Sequence, residues 1–139
     1  MQMQKIPRPG GNSMLDVQVA ELVNELMNAR TSLHKLHLKI KGPGSFAGHL
    51  ALNEVYDALP DHADSVTEQF QGAAERLLVI QDSKPVTLNT KEDGLALLRD
   101  LTECVNKTQA IMPYSEIVND LDNVKSTINS AKYKLLFLS

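Results

Sequence analysis

Apolar residues recur at steps of three and four along most of the chain. Leu15, Val19, Leu22, Leu26, Ala29, Leu33, Leu36 and Ile40 make one stripe, which predicts a helix from about Met14 to Lys41. Gly42-Pro43-Gly44 ends it, since Pro43 cannot continue a helix and glycine tolerates the turn. Ser45 is the expected N-cap of a second helix from Phe46 to Ile80. Its inward stripe reads Phe46, His49 or Leu50, Asn53, Tyr56, Ala63, Val66, Phe70, Ala73 and Leu77. Pro60 removes one backbone bond and predicts a kink near Tyr56 to Leu59; the alternative is two helices with Pro60 in the first turn of the second. Gln81 to Thr90 reads as a linker. A third helix is predicted from Lys91 to Met112, on Leu95, Leu98, Leu101, Val105, Thr108 and Met112, with Pro113 stopping it. A fourth runs from Tyr114 to Leu138, on Ile117, Leu121, Val124, Ile128, Ala131, Leu135 and Leu138. Residues 1–13 carry Pro7, Pro9, Gly10 and Gly11 and are expected to form a flexible arm, with Asn12 or Ser13 capping the first helix. The expectation is one all-α domain over residues 14–139, a four-helix bundle.

Composition narrows this further. A chain of 139 residues is long enough for one real core. Aromatics make up only 4% and Trp is absent, which favours an aliphatic helical core over a β-sandwich. A net charge of −3 argues against a generic nucleic-acid surface. No apolar run approaches the roughly 20 residues of a membrane span, so no membrane partner is expected. The N-terminus lacks an apolar signal core, and the single Cys104 cannot form an internal disulfide. Both fit a cytoplasmic protein. Cys104 falls on an apolar stripe and reads as a small core residue.

The second helix breaks the core pattern. Asp64 and Glu68 are four apart and share a helix face, read here as inward, and His49 and Asn53 form a second such pair upstream. Polar residues at inward positions are expected at functional sites. Histidine with carboxylate suits iron, manganese or zinc better than calcium or magnesium. Phosphate-binding Gly-rich loops, CxxC pairs, HExxH and nucleophile elbows are absent, so hydrolase and kinase readings have no motif behind them.

The stretch from Leu36 to Phe70 resembles the ferroxidase segment of the Dps-like mini-ferritins, the DNA-binding proteins from starved cells. His37 and His49 have the family's twelve-residue spacing, and Asp61, His62, Asp64 and Glu68 reproduce its D-H-x-D-x-x-x-E run. The resemblance implies a ferritin-like four-helix bundle and a shell of twelve copies. It also implies iron oxidation and storage at sites between two subunits, protecting against oxidative damage. His37, His49 and Asn53 of one copy would then face Asp64 and Glu68 of another, with iron as the metal and zinc or manganese as alternatives. His62 would support those ligands from behind, while His34 reads as a partly exposed polar residue.

Three departures bear on that expectation. Asn53 stands where the family has Asp, which weakens the site and its ferroxidase activity. Leu38 stands where many members have Trp. The 81–90 linker lacks most of a short helix that lies at a subunit interface in the family. An N-terminal arm with only Lys5 and Arg8 leaves DNA a disfavoured partner. The competing readings are a structural or interaction bundle that has lost ferroxidase activity, and a mononuclear zinc or manganese site that ties subunits together.

Overall fold

The computed structural model describes residues 13–138; the expected arm lies outside them except for Ser13. Four helices form an all-α bundle: α1 (Met14–His37), α2 (Ser45–Ala74), α3 (Lys91–Ile111) and α4 (Ser115–Phe137). No strand occurs among the described residues, and no helix there is long and apolar enough to cross a membrane.

Local chemistry sets the helix ends. Ser13 caps α1, its hydroxyl accepting the Asp16 N–H at 3.0 Å. The helix stops at His37, four residues before the expected end, through tight bonds from the Leu38 N–H to the Lys35 carbonyl and from Lys39 to Leu36. Gly42 and Gly44 then take left-handed conformations, with φ of 95° and 78°. Gly44 is the N-cap of α2, so Ser45 is the first helical residue rather than the cap. Pro60 lies inside one continuous α2, which rules out the two-helix alternative.

Helix α2 ends at Ala74 instead of Ile80. Glu75 turns into the left-handed region (φ 54°), and Arg76 is drawn inward to Asp16, which is 2% exposed. The guanidinium donates to both carboxylate oxygens, at 2.8 and 2.5 Å, and stands 5.6 Å over the Phe70 ring. Residues beyond this clasp run extended to Thr90 as a strap along α1, without helix. Asn24 donates to the Gln81 carbonyl, Asn28 to the Ser83 hydroxyl and Ser32 to the Val86 carbonyl. Leu88 is buried beneath. Thr90 and Asp93 then form a reciprocal capping box that starts α3.

Long-range pairs fix the topology. His37 meets His49 while Asp16 meets Arg76, so α1 and α2 are antiparallel. Gln18 reaches Thr108, and Gly94 abuts Leu36, so α1 and α3 are antiparallel. Lys134 pairs with Glu54, and Gln69 bonds Asp120, making α2 and α4 antiparallel as well. The order is therefore up, down, down, up, with the strap as the one long crossover. The core is aliphatic, built on fully buried Leu22, Leu26, Leu52, Leu98, Leu121 and Ile128, with Phe70 at one end. Cys104 is a buried free thiol on α3, and burial pushes its pKa upward.

The inward stripe of α2 differs from the expected one in its first half. Gly48, Ala51, Leu52 and Val55 face the core, whereas Phe46 and Leu50 are exposed and His49 and Asn53 lie on the flank toward α1. Leu77, expected inward, is exposed in the strap. Leu138, expected on the α4 stripe, is exposed just past the end of that helix.

Candidate metal-binding site

The α1–α2 turn brings His37 and His49 face to face. Their ring centroids are 3.8 Å apart and their planes differ by 26°. His37 is the last helical residue of α1 and His49 lies in the second turn of α2, so a seven-residue connection closes the pair. The His49 Nδ1 lies 2.9 Å from the His37 carbonyl, and the His37 Nδ1 lies 3.3 Å from the His34 carbonyl. A carbonyl only accepts, so each Nδ1 carries the hydrogen and donates it. In the neutral ring this tautomer leaves Nε2 with a lone pair, the form in which imidazole binds a metal. His37 is buried, and burial holds its pKa below the ordinary 6.5, with the His34 carbonyl opposing the shift. The neutral ring is thus the resting form at pH 7.

Two further aromatic side chains pack here. Tyr56, 7% exposed, stacks on His34 at 4.2 Å and meets the edge of His37 at 5.0 Å. The Tyr56 phenol donates to Asn53 Oδ1 at 2.7 Å, and Asn53 Nδ2 donates to Asp57 Oδ2 at 3.1 Å. His34 was expected only as a partly exposed polar residue and Tyr56 only as part of the inward stripe, and Asp57 carried no expectation. The signal was present, because Asp57 lies one helical turn after Asn53.

Asp64 and Glu68 are not brought to this pair. They follow His49 by 15 and 19 residues on one helix, and a rise of 1.5 Å per residue puts Asp64 about 22 Å further along the axis. Both are exposed, which corrects the expectation that they face inward. The reason is angular: Ala63, Val66 and Phe70 take the core-facing positions of this half of α2. Asp64 opens onto a cavity of about 330 Å³ lined also by Met27, Arg30, Thr31, Pro60 and Ala63. His62 turns the other way, into the α2–α4 seam, with Nε2 3.0 Å from the Thr127 hydroxyl and its pKa lowered by burial. It does not stand behind Asp64. Among the described residues, no group of three or more His, Cys, Asp or Glu is placed to hold a metal ion.

The sequence matches DUF5856, a family of unknown function, over residues 37–135, more than half of the chain. No curated protein matches it.

Proposed function

We propose, for a chain that belongs to DUF5856, a family of unknown function, a metal-binding role: an iron-binding bundle that acts between copies of itself. The observation that carries this reading is the state of His37 and His49. The rings stack on each other and each Nδ1 faces a main-chain carbonyl, the arrangement that in the neutral rings keeps both Nε2 atoms for a metal. Two imidazoles are a fragment of a site. Asp64 and Glu68, exposed and one turn apart, supply the complementary fragment from a second copy. Together the four donors suit iron(II), zinc(II) or manganese(II). Bound iron would supply redox chemistry toward an oxidant such as peroxide. The chain's own main-chain carbonyls fix imidazole tautomers on one copy, and its carboxylates present negative charge on the other.

The topology supports this reading. A bundle with one long crossover is the arrangement of ferritin-like folds, which accords with the mini-ferritin resemblance of Leu36 to Phe70. A closed shell of twelve copies is the assembly that the resemblance favours, and a reducing cytoplasm suits the free Cys104 thiol. One observation favours the second reading, an interaction bundle without ferroxidase turnover. The Asn53 amide is engaged by Tyr56 and Asp57, so the chain puts no carboxylate beside the histidine pair at that position.

The test is thermal unfolding of tag-free protein with iron(II) under anaerobic conditions, zinc(II) or manganese(II). The parent midpoint should rise with metal by mass action. His37→Ala/His49→Ala and Asp64→Ala/Glu68→Ala should each lose that response. A parent that responds to none of the three metals would contradict the proposal.

A further inference from the structure

Asn53, Tyr56 and Asp57 form a chain of contacts whose chemistry is directional. The Asp57 carboxylate can only accept, so it must face the Asn53 amide nitrogen, which lies 3.1 Å away. That orientation turns the Asn53 carbonyl oxygen toward the Tyr56 hydroxyl, 2.7 Å away. Asparagine is suited to this position because it donates to one neighbour and accepts from the other. Aspartate cannot do both: it would accept from Tyr56 but set a second carboxylate against Asp57. The Tyr56 ring is the wall of the histidine cluster, stacked on His34 and edge-on to His37. A phenol held at its hydroxyl end holds its ring in place.

Resting on the metal-binding reading above, we propose that Asn53 is a positioning residue rather than a metal ligand. Its amide couples Asp57 to Tyr56, and Tyr56 locks His34 and His37 so that the His37/His49 pair keeps one geometry. The carboxylate absent from position 53 is thus present one turn later, acting through the amide. This turns the departure at position 53 into a working part of the site, and it reverses a simple expectation. Restoring aspartate there by itself should damage the site.

The experiment uses the full chain in four forms beside the parent: Asn53→Asp, Tyr56→Phe, Asp57→Asn and the exchange Asn53→Asp/Asp57→Asn. Ring-nitrogen NMR shifts of His34, His37 and His49 are read without metal, and the affinity for zinc(II) alone is read by calorimetry. In Asn53→Asp and Tyr56→Phe the His34 and His37 ring signals should move, and zinc affinity should fall about tenfold, the lower end for losing a partner of a ligand. In the exchange, the carboxylate now at position 53 accepts from the Tyr56 hydroxyl and from the amide now at position 57. Both the ring signals and the affinity should return toward the parent, a rescue that damage to folding alone would not give. Should Asn53→Asp fail to fold, Tyr56→Phe carries the same test by removing only the hydroxyl. Tighter zinc binding in Asn53→Asp with unmoved ring signals would overturn the proposal and make position 53 a ligand position. Ring signals that follow the pattern in a parent that binds none of zinc(II), manganese(II) and, anaerobically, iron(II) would support the positioning role while overturning the metal reading.

Discussion

Arg76→Ala removes the clasp that ends α2 and starts the strap. The Asp16 side chain is 2% exposed and that of Arg76 15%. Two charge-assisted bonds join them. Deleting Arg76 leaves a buried carboxylate without its cation, and breaking such a pair costs about 3–5 kcal/mol. Asp16→Ala should cost less, because the guanidinium lies nearer the surface and can swing into water. The loss should depend on pH. The Arg76 hydrogen bond, opposed by burial, holds the Asp16 pKa below its ordinary 3.8. A depressed carboxylate pKa gives stability that is present above the unfolded value and lost as pH falls through the folded value. The difference between parent and Arg76→Ala should therefore be full at pH 7 and shrink below about pH 4, the unfolded carboxylate range. Urea unfolding of both proteins between pH 2.5 and 7 measures it, with those pH limits set about 1.5 units below and 3 above that range. A deficit under about 1 kcal/mol at pH 7, the size of an exposed pair, would show that Asp16 and Arg76 do not act as a buried ion pair.

Three other substitutions or modifications probe separate parts of the fold. Gly72 sits in exposed α2 with open space where a Cβ would go, so Gly72→Ala should raise unfolding stability by about 1 kcal/mol. Ser32, buried, donates to the Val86 carbonyl at 2.6 Å; Ser32→Ala should cost about 1 kcal/mol and speed amide hydrogen exchange in the strap more than in the helices. Cys104 is buried with its thiol pKa pushed up, so alkylation at pH 8 should be slow in the folded chain and fast in urea.

The helices were legible because their apolar stripes are long and uninterrupted. The α1 stripe from Val19 to Leu36 and the α3 stripe from Leu95 to Met112 lie inside as read. The errors sit where a tertiary contact overrides local pattern. Leu77 to Ile80 continue a helical period, yet Asp16, 60 positions before Arg76, pulls the chain out of helix at Glu75. On α2 the small residues Gly48 and Ala51 take the inside, because Ile40 and Leu135 crowd that end: a Cβ at Gly48 would stand 3.0 Å from Ile40 Cδ1. That rotation puts His49 and Asn53 on the flank. The mini-ferritin resemblance implied that His37 and His49 act together, and the α1–α2 turn does bring their rings face to face. The Asn53–Asp57 contact was not legible, since a helical spacing offers neighbours without saying which hydrogen bonds form.

In the proposed function, His37 and His49 of one copy act with Asp64 and Glu68 of another. On that proposal, co-expression of His37→Ala/His49→Ala with Asp64→Ala/Glu68→Ala, each carrying a different removable tag, should yield mixed assemblies that contain sites with both halves intact. Iron(II) binding, measured anaerobically, should be lost in each variant alone and recovered in the mixed assembly. Binding at the parental level by Asp64→Ala/Glu68→Ala alone, or no recovery in the mixture, would rule out a site shared between copies.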